Sequence, residues 1–206
     1  MIETSTLPID EKQKGCDALA GASKILLDCP LSGTGAQARN KDLLVLGSGD
    51  RGAFDGCTAV FDGFARTHCY LGEFGNGSKM KFVANHLFNI HNVAAAEAMM
   101  LGMKAGLDPQ QIYEVISAGA GNTRIFELRA PMMVTGDYDD ATIKTATWQK
   151  DIDIITSFAA SLRCPIPLFA AASPPYQAAM KQGLAEKDTA AVCAVLENLA
   201  GMKRKS

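Results

Sequence analysis

Apolar positions fall into two regimes along the chain. Up to residue 74 they come in short runs separated by polar turns; after it they recur at helical spacing almost without a break. In the first regime residues 24–28, 43–47 and, more weakly, 67–71 read as strands bounded by turn clusters. Pro8, followed by Ile-Asp-Glu-Lys-Gln, suits the first turn of a short helix that Gly21 stops. Residues 50–57 begin another helix, and 58–61 are either its tail or a strand. Short strands alternating with helices predict a slice of an α/β sheet.

In the second regime the longest helix spans about 78–104, on the order of 40 Å at 1.5 Å per residue, with Gly106 at its C-terminal cap. From Phe82 to Leu101 it is apolar on nearly every face, which predicts burial on most sides. Asp108 caps the next helix, 109–118. Pro109 takes its first position, Gln111 completes a capping box, and Leu107 and Ile112 form a hydrophobic staple. Further helices are expected at 123–134, 145–162, 174–182 and 189–199, the last capped by Asp188 and ended by Gly201. No repeat and no linker interrupts this order. The boundary is the turn at residues 72–77, which separates residues 1–75 from an all-helical 76–206.

Composition narrows the partners. With 206 residues, 48% hydrophobic and 20% charged, the chain can bury a substantial core. A formal net charge of -2 gives no electrostatic reason to expect nucleic acid or a membrane surface. The six cysteines are scattered with no C-x-x-C pair, so they read as reduced core residues rather than a disulfide or zinc framework. No apolar run reaches membrane-spanning length and no signal peptide is visible, so a cytoplasmic location follows by default.

Two stretches carry candidate chemistry. Gly75-Asn-Gly77-Ser-Lys-Met-Lys81-Phe-Val-Ala-Asn85 turns straight into the long helix. Lys81 and Asn85, four apart, share one helix face, where an amine and an amide can act on one polar ligand. Two solvated surface positions would show the same spacing. Asp28-Cys-Pro-Leu-Ser32-Gly33-Thr34-Gly35-Ala-Gln-Ala38 follows a strand and has the glycine spacing of a dinucleotide fingerprint. It lacks the expected helix at the last glycine and the acidic residue about 20 positions on. What remains is a loop of backbone N–H groups and hydroxyls able to cradle a carboxylate, or a structural turn.

In order, Thr4-Ser5-Thr6-Leu-Pro8, Leu27-Asp28-Cys-Pro-Leu-Ser32-Gly33, Gly75-Asn-Gly77 leading to Lys81 and Asn85, Ala96-Glu97-Ala98 with Gly106-Leu-Asp108, and Trp148-Gln-Lys150-Asp151 resemble the motifs of the β-hydroxyacid dehydrogenases, the 3-hydroxyisobutyrate dehydrogenase family. The resemblance covers essentially the whole chain, but only the later part of the family's pattern. It implies an α/β remnant of a Rossmann-type sheet, residues 1–75, then a long interdomain helix and an all-α domain like the C-terminal part of 6-phosphogluconate dehydrogenase, residues 76–206. The chain is expected to begin inside the sheet domain, lacking about two or three βα units of roughly 30 residues each, G-x-G-x-x-G turn included. A sheet so opened exposes an edge and favours oligomerisation.

The resemblance also implies roles. NAD or NADP is the cofactor and a small β-hydroxy acid, 3-hydroxyisobutyrate-like or a sugar acid, is the substrate. Lys81 matches the general acid/base, whose task requires a pKa drawn down from about 10.4 toward neutral; Lys79 is a candidate neighbour on another helix face. Asn85 matches a residue orienting the substrate, and Ser32, Gly33 and Thr34 match the carboxylate-binding loop. Thr6 matches a contact to the nicotinamide ribose, and Lys150 matches a lysine on the cofactor side, though a helix-surface charge fits it as well. The family usually shows Gly-Gly after the serine, so Gly33-Thr34 points to a different loop shape and substrate preference. Helical domains of this kind pair, implying a dimer or tetramer. The alternative function is a catalytically silent dimerisation and substrate-binding fragment of such an enzyme.

Overall fold

The computed structural model describes residues 1–204. It resolves two compact units, Met1–Asn85 and a second beginning at His86, and the division falls within a single helix.

The first unit runs β1 (Ile2–Glu3), α1 (Ile9–Gly21), β2 (Leu27–Asp28), β3 (Leu31–Ser32), α2 (Gly35–Arg39), β4 (Leu43–Gly47), α3 (Arg51–Asp55), α4 (Thr58–Phe61), β5 (Ala65–Tyr70) and the start of α5 (Asn76–Lys104). β1 lies parallel to β2 with Glu3 opposite Asp28. β4 is central in the order β3-β4-β5, antiparallel to β3 and parallel to β5. An isolated bridge joins Asp28 to Ser48, N to O at 3.0 and 2.8 Å. β4 is apolar throughout because both its faces are covered. Leu43 and Val45 pack there with Leu27, Cys29, Phe54, Phe61 and Ala65.

The strand expected at 24–28 keeps only its last two residues; Ile25, ahead of them, is 48% exposed. β1 and β3 were not legible, since two residues carry no periodicity. Residues 58–61 resolve as helix. Against expectation, a short helix opens at Gly35. The cysteines are all free, as read, but not all in the core: Cys29 and Cys193 are buried, whereas Cys69, on edge strand β5, and Cys164, in the turn after α8, are exposed. Among the described residues no helix is long and apolar enough to cross a membrane.

The second unit continues α5 and adds α6 (Pro109–Ala118), α7 (Arg124–Thr135), α8 (Thr145–Ser161), α9 (Pro167–Ala172), α10 (Pro174–Lys181) and, after a 3-10 turn at Thr189–Ala191, α11 (Val192–Leu199). Asp108 caps α6 by accepting from Gln111 N at 3.0 Å, and Pro109 takes the first turn as read. α9, bracketed by prolines, was missed. Nor is α5 buried on most sides. Met80, Val83, Leu87 and Leu101 stand 44–68% exposed, while Asn89, Asn92, Ala96 and Met99 are fully buried at spacings of three and four. Composition could not choose between these faces, because the buried stripe is the one that finds partners. Trp148 Nε1 donates to Asn89 Oδ1 at 2.8 Å, and Asn92 Nδ2 donates to the Tyr176 hydroxyl and Thr189 O at 2.8 and 2.9 Å.

Candidate active site

The site is built around the N-terminus of α5. A Cβ on Gly77 would meet Leu46 O at 2.2 Å and Asp28 O at 2.7 Å, so the first turn of the helix lies directly on the backbone of β2 and β4. Two of the turn's amides are taken by side chains at the end of β2 and just after β4. Ser78 N donates to Asp28 Oδ2 at 2.8 Å, Ser78 Oγ to Asp28 Oδ1 at 2.8 Å, and Gly77 N to Ser48 Oγ at 2.9 Å. Ser48 Oγ reaches Asp28 Oδ2 at 3.1 Å. From α1, Lys12 spans two carboxylates, Asp28 Oδ1 at 2.7 Å and Glu3 Oε2 at 2.6 Å. The Lys12 and Asp28 side chains are wholly buried. Glu3, Lys12 and Asp28 sum to one negative charge, placed at the positive end of a 29-residue helix. Burial alone would push the Glu3 carboxyl up; the Lys12 ammonium and bonds from Ser5 outweigh it and hold the carboxyl below its usual range.

Lys81 stands one turn beyond Ser78 and is half-buried; Asn85 stands one turn further and is 5% exposed. Ser78, Lys81 and Asn85 thus line one face of α5, each turn rising about 5 Å. Lys79 is exposed and donates to Asn76 Oδ1 at 3.0 Å.

Ser32 closes β3 opposite Leu44 and is half-buried. Gly33 has φ +128°, and a Cβ there would lie 2.6 Å from Leu43 Cδ2, so this position of the loop admits only glycine. Thr34 caps α2, and its N–H donates to Gln37 Oε1 at 3.0 Å. One of the amides expected to face a carboxylate is therefore committed to the capping box that the Thr34 and Gln37 side chains form. Thr6 is half-buried in the β1–α1 loop, next to Ser5, whose N–H donates to Glu3 Oε1 at 2.8 Å. These residues all belong to the first unit. Lys150 belongs to the second, on the exposed side of α8 with Nζ 2.7 Å from Asp151 Oδ1. Sequence reasoning missed Lys12, Ser48 and Ser78 altogether and saw Asp28 only as part of a motif. The available signal was a charged residue ending an apolar strand.

A dinucleotide pyrophosphate needs amides at an open helix N-terminus. α1 carries Asp10 and Glu11 in its first turn. α2 and α3 are five residues long and closed by their own side chains, α3 through Asp50 accepting from Ala53 N. At α5 the Asp28 carboxylate already occupies the place an anion would take. These four junctions do not fit a pyrophosphate.

Comparison with known proteins bears on the whole chain. Residues 1–72 match a family model described as the NAD binding domain of 6-phosphogluconate dehydrogenase. Residues 75–196 match one described as NAD-binding of NADP-dependent 3-hydroxyisobutyrate dehydrogenase. An L-threonate dehydrogenase of Cupriavidus necator is 32% identical over 200 residues, 97% of this chain and 67% of that protein. The chloroplastic glyoxylate/succinic semialdehyde reductase 2 of Arabidopsis thaliana is 30% identical over 95% of this chain, which spans only 54% of that relative. The crystal structure of a 3-hydroxyisobutyrate dehydrogenase from Salmonella typhimurium superposes with a TM-score of 0.88 at 31% identity, covering 94% of this chain and 68% of that one. The fold is accordingly a Rossmann-type α/β part followed by the all-α domain, and the cofactor class of both matched models is a nicotinamide dinucleotide, NAD or NADP. With two consecutive models meeting at the glycine turn ahead of α5, the chain belongs to the β-hydroxyacid dehydrogenase family.

Proposed function

We propose that the chain serves NAD(P)-dependent oxidation and reduction of a small β-hydroxy acid, of 3-hydroxyisobutyrate or sugar-acid type, with Lys81 as general acid/base. The observation that carries this reading is the single face of α5 on which a half-buried Lys81 and a buried Asn85 follow the fixed first turn. In oxidation Lys81 Nζ takes the hydroxyl proton as the carbonyl forms, and in reduction it returns that proton. Asn85 hydrogen-bonds the same oxygen, while Ser32, Gly33 and Thr34 take the carboxylate. In this reading Thr6 contacts the nicotinamide ribose. The hydride partner is a dinucleotide for whose phosphates these residues offer no seat, so the steps assigned to the chain are those of the proton and the substrate. In this reading residues 1–75 are part of the cofactor domain, and 76–206 bind substrate and pair subunits into a dimer or tetramer in the cytoplasm.

The closed helix N-termini favour a second reading, in which these residues bind substrate and assemble but hold no dinucleotide alone. Calorimetric titration with NAD and NADP separates the two: heat of binding supports the first, and none, with a folded oligomer in solution, supports the second. Where turnover is measured, Lys81→Ala should lower it by about 10²-fold or more, the usual range for a general acid/base, with circular dichroism unchanged. A variant that keeps a third of the activity sinks the assignment.

A further inference from the structure

We propose that Asp28 is a positioning residue of this site: held by Lys12 and acting through Ser78, it sets the turn of α5 that carries Lys81. The inference rests on the reading of Lys81 as acid/base.

Asp28 is 0% exposed, yet it is not a residue that packing alone would select. A buried carboxylate is tolerated only when its lone pairs are filled, and a well-packed apolar residue commonly serves stability as well or better. What the carboxylate adds is direction. Both its oxygens are spent on the first turn of α5, one on the Ser78 amide and the other on the Ser78 hydroxyl, across fifty residues of chain. The Lys12 ammonium fixes the second oxygen from the opposite side, and Glu3 on the neighbouring strand fixes Lys12. Gly77 lets the helix approach until backbone meets backbone, so the rotation of the helix about its axis is defined at Ser78. Lys81 is three residues on, on the same face, and inherits that rotation. The Ser32–Thr34 loop is held separately, by its pairing with β4 and by the Gln37 cap. Loss of Asp28 should therefore reach the proton-transfer step before it reaches substrate affinity.

The test compares the wild-type chain with Asp28→Asn, Ser78→Ala and the double variant, using 3-hydroxyisobutyrate and L-threonate with NAD and NADP. Asp28→Asn keeps shape and one acceptor, and Ser78→Ala keeps the ion pair, so a folded protein is available from at least one. We expect Asp28→Asn to lower kcat about tenfold or more, as small misplacements of a reacting group do, with KM within about threefold. Amides 77–82 should exchange hydrogen faster while the rest of α5 does not. The double variant should be no slower than Asp28→Asn alone, because both act on one turn. Unchanged kcat and unchanged exchange in Asp28→Asn overturn the proposal, as does a double variant whose losses multiply. A wild-type chain that turns over neither acid supports the reading in which it holds no dinucleotide alone; the exchange rates of amides 77–82 then decide the positioning role by themselves, and unchanged exchange in Asp28→Asn overturns it.

Discussion

The second unit holds a buried ion pair whose two halves should not cost the same to remove. Arg129, 1% exposed, directs Nη1 at Asp188 Oδ1 and Oδ2 at 3.1 and 3.0 Å and at the Thr142 hydroxyl, and its guanidinium lies 5.4 Å from the centre of the Phe88 ring. Its Nε and Nη2 have no hydrogen-bond partner among the described residues, and burial pushes the guanidinium pKa down despite Asp188. Asp188 is better served. Besides Arg129 it accepts from Thr142 N at 2.8 Å, Ala190 N at 2.9 Å and Ile143 N at 3.3 Å, and from the Thr142 and Thr189 hydroxyls. Asp188→Ala strips all of these at once and leaves a buried cation facing one hydroxyl, which should cost about 3–5 kcal/mol. Arg129→Met removes the charge that burial already disfavours, keeps an unbranched stem beside Phe88 and leaves Asp188 three backbone donors. About 1–2 kcal/mol is expected. The sole tryptophan, Trp148, is 3% exposed in this unit and reports its unfolding. With a urea slope of about 2 kcal/mol/M, the fluorescence midpoint should fall by about 2 M for Asp188→Ala and by less than about 1 M for Arg129→Met. Equal shifts, or a larger one for Arg129→Met, would refute the argument that Asp188 is held by the backbone and Arg129 by Asp188.

Gly77→Ala forces a methyl to within 2.2 Å of Leu46 O, a backbone atom that cannot turn aside, and should cost about 3 kcal/mol or prevent folding. Gly35→Ala, with nothing within 4 Å in the first turn of α2, should leave the thermal midpoint unchanged or raise it slightly. Because the folded Glu3 carboxyl lies below its ordinary value of 4.5, the stability it contributes is present above that value and lost as pH falls through the lowered one. Acid titration of Glu3→Gln should show that part of the transition flattened, and an unchanged profile would remove Glu3 from the account. Burial pushes the Cys29 and Cys193 thiols up to about 12, so iodoacetamide at pH 8 should label exposed Cys69 and Cys164 in the native protein and spare those two. Mass spectrometry with early modification at Cys193 would contradict its placement.

Much of the helical part was legible because its signals are local. Asp108, Pro109 and the apolar spacing after them bound α6 correctly, and the helix expected at 123–134 stands at Arg124–Thr135. Central strand β4 was found to the residue, since a strand covered on both faces is a continuous apolar run. Edge strand β5 begins two residues earlier and ends one residue earlier than expected, and the two-residue strands β1 and β3 were not found, because their pairing is decided by residues far along the chain.

The site divides the same way. By itself the sequence determined that Lys81 and Asn85 share a helix face and that the motifs run in the order of one enzyme family, since the first depends on neighbours within a few residues and the second on order alone. Only the tertiary structure decided that the helix begins on an aspartate fifty residues upstream of Ser78, that Lys12 leaves the surface of α1 to neutralise it, and that the Thr34 amide is committed to Gln37. It also decided which of the apolar faces of α5 is buried. Burial of a charge or an amide is settled by whichever groups the fold brings within hydrogen-bond reach, and no spacing along the chain records that.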